Sequence, residues 1–204
     1  GLCKTDYAFV INPDVKFYNN TLNEMINFSS NSDDYCILAP ISDDVRFPNY
    51  KIKNKEIANN DNDYLSVDSV DGFAMLINKN KFKDNIYFDE NFFLYLENDD
   101  LCLRKKNENN IIYVLKKAKI NHLGGKSHSV IYEKEIEYSR NWHWMWSKFY
   151  FNLKYYGYLI AFLRTLPSMI SSIIKILFYF LTINRYKKKI YLMRFLGLYN
   201  SMMG

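Results

Sequence analysis

After Glu137 the sequence contains no aspartate or glutamate. Ten basic residues fall in that acid-free stretch: Arg140, Lys148, Lys154, Arg164, Lys175, Arg185, Lys187, Lys188, Lys189 and Arg194. Subtracting them leaves 17 basic and 22 acidic residues before it, so the net charge of +5 hides a front part at −5 and a back part at +10. This asymmetry predicts two parts with different partners: an acidic, catalytic-type domain over residues 1–137 and a basic tail over 138–204 for an anionic surface. Cysteine is scarce as well. The three present form no metal-like pair, which argues against a cysteine-held metal and predicts reduced thiols on a cytosolic face. The chain opens with no signal peptide and shows no internal repeat. No charge-free run in the back part approaches the length of a membrane span. At 204 residues the chain can hold one domain with a real core plus an appendage.

What the back part does have is aromatic and apolar. All three tryptophans lie within residues 142–146, and residues 156–183 are largely apolar, interrupted by Arg164, Pro167 and Lys175. Pro167 is expected to break this segment into two helices. Lys154, Arg164, Lys175 and Arg185 recur every 10 or 11 residues, close to one line on a continuous helix. Apolar helices with a basic line and flanking Trp and Tyr fit an interfacial position on an anionic membrane. A nucleic-acid partner is not expected, because tails of that kind are polar and this one is greasy.

In the front part, residues 7–11 read as a short buried strand stopped by Asn12-Pro13-Asp14. Residues 21–28 read as a helix capped by Asn20 or Thr21, and 35–40 as the next buried strand. The polar stretch 41–66 reads as a long loop with room for a weak hairpin. An apolar strand follows Asp71 and Gly72, and a short helix begins at Lys79. Two strands are expected at 111–115 and 118–122, ending in His122-Leu123-Gly124-Gly125-Lys126-Ser127.

The front part is organised around residues 88–104, where an aromatic, apolar run (Phe92, Phe93, Leu94, Tyr95) delivers Glu97, Asp99 and Asp100, followed by Arg104. The acids read as the first turn of a helix, where the exposed N–H groups favour negative charge. Glu97 and Asp100 share a face, and Asp100 and Arg104 have the better order for an i,i+4 ion pair.

This stretch resembles the acidic motif of glycosyltransferase family 2, especially its rhamnosyltransferase-like members. Glu97, Asp100, Leu101, Cys102 and Arg104 match, and Asn98 stands where the family most often has an aspartate. Asn12-Pro13-Asp14 and His122-Leu123-Gly124-Gly125 resemble two further family elements, in the right order. The resemblance covers residues 5 to about 130. It implies an α/β, GT-A-like fold: a mixed, mostly parallel sheet with helices on both faces, N-terminally truncated because the family's nucleoside-binding strand and helix have no counterpart, and followed by the helical tail. It implies an inverting, metal-dependent transfer of a sugar from a nucleotide-sugar donor to a polysaccharide or lipid-linked acceptor, at the cytoplasmic face of the bacterial inner membrane. By the same resemblance Asp14 and His122 would hold Mg2+ or Mn2+. Asn12, Asp14, Arg104, Gly124, Gly125 and Lys126 would meet the donor diphosphate, and Asp71 and Gly72 the acceptor. Since Asn98 cannot take a proton as a carboxylate does, the base falls to Glu97, with Asp99 as alternative and Asp100 in support. The alternative from another class is a non-catalytic, membrane-bound interaction module derived from a transferase.

Overall fold

The computed structural model describes residues 4–52, 63–83, 85–123 and 132–204. The chain divides into two units: the first runs to Asp89 and resumes at Glu97, and the second takes Glu90–Leu96 and the C-terminal helices.

The first unit is a mixed α/β layer structure. Its elements in chain order are β1 (Tyr7–Ile11), β2 (Val15–Phe17), α1 (Thr21–Asn31), β3 (Tyr35–Ser42), β4 (Tyr50–Lys51), β5 (Tyr64–Ser66), β6 (Ser69–Val70), β7 (Ala74–Asn78), α2 (Glu97–Asn107) and β8 (Ile111–His122). The main sheet runs β1-β7-β3-β8-β2, with β5 also on β8, while β4 and β6 form a two-stranded ribbon. Of these pairings only β3–β8 is parallel; the rest are antiparallel. The mostly parallel sheet expected from the resemblance is therefore not what the described pairings give. The centre is a crossover pair, and β1, β2, β5 and β7 return against it in the opposite sense.

The core follows from strands buried on both faces, which need apolar residues at successive positions. Residues 35–39 of β3 are fully buried. Side chains divide between two clusters. On one face Ile37, Ala39, Met75, Ile77, Ile112 and Val114 pack with Leu101 and Cys102 of α2. On the other, Tyr35, Leu38, Tyr113 and Leu115 pack with Met25 and Phe28 of α1. Helices thus cover both faces of the sheet, and each helix offers one apolar side to it. Thr21 starts α1, its hydroxyl donating to the Lys119 carbonyl on β8.

The two strands expected between 111 and 122 are one. β8 runs through because a register shift between Pro40 and Ile41 moves the partner from Leu115 to Lys119. The bulge takes up the polar residues Lys116 and Lys117 without ending the ladder.

The second unit holds the helical region α3 (Glu133–Leu181) and α4 (Arg185–Met203). The break in α3 falls at Gly157, with φ 76° and ψ 170°, and not at Pro167 as expected. Backbone of that kind is open to glycine almost alone, whereas the helix continues through Pro167. The two halves fold back on each other: Lys148 Nζ donates to Ser168 Oγ at 2.8 Å, and Arg164 Nη1 to Asn152 Oδ1 at 3.2 Å. Met145, Phe149 and Ala161 bury together with Leu198 of α4. At Gly197 a Cβ would stand 2.2 Å from the Trp142 carbonyl oxygen, so only glycine lets α4 approach the first half this closely. The expected basic line is broken with the helix: Lys154 precedes Gly157 and Arg185 begins α4, leaving Arg164 and Lys175 on one helix.

Residues 90–96 belong to this unit. Phe92 packs on Tyr150 and Phe151, Tyr95 on Trp144, and Ser147 Oγ donates to the Leu94 carbonyl at 2.8 Å.

Candidate functional site

β1 ends at Ile11, where the Asn12 N–H donates to the Phe73 carbonyl at 2.9 Å and the Val15 N–H closes a turn on the Asn12 carbonyl at 3.2 Å. This turn carries Asp14, which is largely buried at 9% exposure. Because β2 pairs with the end of β8, Val15 lies opposite His122. Asp14 Oδ1 and His122 Nε2 come within 3.5 Å. The imidazole lies flat on the Phe73 ring, 4.2 Å between centroids and 11° between planes, which fixes its orientation. The two expected metal-binding side chains are thus brought together from positions 108 residues apart in the chain.

The second group of residues comes from β4, β6 and α2. Lys51 Nζ reaches Asp99 at 2.9 Å and Asp71 at 3.9 Å. Asp71 is shifted upward, first by burial; the Lys51 and His122 charges oppose the shift and Asp99 adds to it. Those charges act on Asp71 only because the lysine, the histidine and the second acid stand near it. The start of α2 packs beside Gly72, where a Cβ would meet the Asn98 side chain at an ordinary contact distance of 3.4 Å. Asn98 is buried and its amide donates to the Val70 carbonyl at 2.8 Å. It fastens the first turn of α2 to β6.

Glu97 opens α2 after two successive residues with left-handed backbone, Tyr95 (φ 71°) and Leu96 (φ 67°). Non-glycine residues adopt this conformation at a cost, so the chain spends strain to present Glu97 where it does. Glu97 Oε2 is buried and has no hydrogen-bond partner among the described residues. Burial, with a smaller push from Asp99, raises its carboxyl above the usual range.

Asp100 and Arg104 pair with each other. Asp100 is fully buried and accepts from Arg104 Nε at 3.0 Å. The remaining guanidinium nitrogens donate to the carbonyls of Ile86 (3.2 Å) and Tyr87 (2.7 Å). This pair ties α2 to the segment before it. Asn12 contributes backbone contacts and an exposed side chain. Gly124, Gly125 and Lys126 lie outside the described residues.

Reading the sequence missed Lys51 and Phe73. Lys51 sits in a two-residue strand inside a polar stretch, too short for any periodicity. Only its pairing opposite Ser69 places it beside Asp71 and Asp99. Phe73 read as a core residue, and its role as a platform for His122 carries no sequence signal.

Among the described residues no group of three or more His, Cys, Asp or Glu side chains is gathered for an ion. Asp14 and His122 could supply two ligands. Mg2+ commonly binds through one or two carboxylates, with substrate phosphate oxygens and water completing the shell, so the pair fits an ion carried in by a phosphorylated substrate better than a resident, fully protein-ligated one. Compared with known proteins, the chain matches no family model and no curated protein.

Proposed function

We propose that the chain carries the acceptor-side and metal-side residues of an inverting glycosyltransferase that uses a nucleotide-sugar donor and a saccharide or lipid-linked acceptor. The observation that supports it is the gathering of Asp14, His122, Asp71, Lys51 and Asp99 from five separate segments at the edge where β1, β6, β8 and α2 end or begin. In this reading Asp14 and His122 hold a divalent ion, Mg2+ or Mn2+, whose charge would offset that of the departing diphosphate. Asp71 orients the acceptor. Glu97, with a buried oxygen that has no hydrogen-bond partner among the described residues and a raised carboxyl, takes the proton of the acceptor hydroxyl as that hydroxyl's oxygen bonds to the anomeric carbon and the bond to diphosphate breaks. Asp99 is engaged by Lys51 at 2.9 Å, which suits a supporting role. The parallel β3–β8 crossover with helices on both faces is compatible with a GT-A core. The enzyme would work peripherally at the cytoplasmic face of a bacterial inner membrane.

One observation favours the rival, a non-catalytic module derived from a transferase: the residue at the family's usual base position, Asn98, is an amide committed to the Val70 carbonyl. Mn2+ binding, followed by electron paramagnetic resonance with and without a nucleoside diphosphate, separates the two. The transferase reading expects diphosphate to strengthen Mn2+ binding, and Asp14→Asn or His122→Ala to weaken the ternary complex about tenfold or more, the scale of losing a liganding or ligand-orienting group. Mn2+ binding indifferent to diphosphate and to both substitutions would favour the module.

A further inference from the structure

The second half of α3 leaves one long face uncovered by any of the described residues. Ala161, Thr165 and Ser172 are buried on its inner side. On the opposite side stand Leu159, Leu163, Ile170, Ile174, Leu177 and Leu181, all exposed, from 47% at Ile170 to 78% at Leu181. Their spacings of 4, 7, 4, 3 and 4 follow the helical repeat, so they form a single stripe. At 1.5 Å per residue the stripe runs roughly 33 Å. No charged residue interrupts it, and Leu166 and Pro167 line the shallow groove along it with Leu163, Ile170 and Ile174.

The two cations of this helix are held beside the stripe. Arg164 lies 4.0 Å over the Tyr156 ring, and Lys175 lies 4.7 Å over Tyr191, whose hydroxyl it also meets at 3.2 Å. At the far end Lys187 and Lys188 sit over Tyr179 and Phe180. The pattern is an apolar face rimmed by cations on aromatic rings. With ten basic and no acidic residues after Glu137, a second copy of this chain would bring like charge against like, whereas an anionic lipid surface meets both the charge and the apolar face.

We infer that this stripe is the lipid-contacting surface, and that the second half of α3 lies flat in the headgroup–acyl boundary of an anionic bilayer. The inference rests on the membrane part of the reading above and not on its transferase part. By length and composition α3 could cross a bilayer. Its second half, however, is tied along its length to the first half through Lys148–Ser168 and Arg164–Asn152, and to α4 through Lys175–Tyr191. Those neighbours carry Glu133, Glu135, Glu137, Arg140 and Lys187 to Lys189, which a crossing would drag into hydrocarbon.

The test is flotation of the full 204-residue chain with vesicles of phosphatidylcholine, alone or with about a quarter phosphatidylglycerol. The native chain and Val45→Glu, a control at an 88% exposed position in the other unit, should float with the anionic vesicles only. The triple variant Leu163→Glu, Ile170→Glu, Ile174→Glu should retain native helical circular dichroism and bind about a hundredfold more weakly, since three large aliphatic contacts are replaced by charges repelled by the lipid. Should the triple variant fail to fold, Leu163→Glu and Ile174→Glu alone, each costing about fivefold, carry the test. A folded triple variant that binds like the native chain overturns the assignment of the face while leaving membrane binding intact. A native chain that ignores anionic vesicles overturns both. Resistance to alkaline carbonate extraction would mean that α3 crosses the bilayer. Self-association without lipid, abolished by the same substitutions, would mean that a second copy covers the stripe.

Discussion

Glu97 and Asp99 are two residues apart and sit in opposite electrostatic settings. Asp99 is held by Lys51 at 2.9 Å, while Glu97 has a buried oxygen without a hydrogen-bond partner among the described residues and a carboxyl raised by burial. A base must be deprotonated to work, so on the proposed transferase reading turnover should rise with pH through the raised Glu97 value, giving an acid limb above the ordinary 4.5. Asp71 is raised as well, so the limb needs assigning. It should persist in Asp71→Asn and vanish in Glu97→Gln, whose turnover should fall about 10²–10⁴-fold. A limb that survives Glu97→Gln, with Asp99→Asn inactive, would move the base to Asp99. Stability should respond in the other sense. A carboxyl raised in the folded state contributes stability below its unfolded value and loses it as pH rises through the folded one. Glu97→Gln should therefore raise the thermal midpoint relative to the native chain above that range, and the advantage should shrink on acidification. A stabilised but inactive variant is the expected signature of a functional group kept in a costly setting.

At the scale of elements, the long apolar and strongly patterned segments were legible: β1, α1, β3 and α2 lie within a few residues of where apolar runs and acidic helix starts put them. The ion pair expected four apart between Asp100 and Arg104 forms, although its role in the fold is to tie α2 to the carbonyls at 86 and 87. Arg104→Met should then cost about 3–5 kcal/mol, read by denaturant unfolding, because it leaves a fully buried carboxylate without its cation. Short elements were not legible. β4 and β6 have two residues each, and their meaning comes from what they pair with. The helix break was misplaced for a different reason. Proline disfavours helix interiors, yet a helix with exposed surface on one side tolerates the lost hydrogen bond, whereas the φ and ψ of Gly157 exclude nearly every other residue. Gly157→Ala should accordingly destabilise the helical unit by about 1–3 kcal/mol, and Pro167→Ala should destabilise it little or not at all. The reverse order in thermal unfolding would mean that Pro167 shapes the turn.

At the scale of the whole molecule, charge and contacts divide the chain differently. Charge splits it near residue 138, and contacts assign Glu90–Leu96 to the helical unit although both chain neighbours of that segment belong to the sheet unit. The acidic motif is thus fed by a strand of chain that packs on α3: Phe92 against Tyr150 and Phe151, Tyr95 against Trp144, and the Leu94 carbonyl on Ser147. A cut after Glu137 should not release a self-sufficient front domain, because it strips these partners from Phe92, a residue only 6% exposed, and from Tyr95, the first of the two left-handed residues that lead into Glu97. Hydrogen exchange reads this directly. In the native chain the amides of 90–96 should be protected to the same degree as those of the first half of α3, as members of one cooperative unit are. In a chain ending at Glu137 they should exchange at nearly unprotected rates, while the central β3–β8 amides keep their protection. The first turn of α2 should loosen with them, because the strained backbone at Tyr95 and Leu96 persists only where its surroundings hold it. Unchanged protection of 90–96 after the cut would show that this segment is held by the sheet unit, and that the helices can be removed without disturbing Glu97.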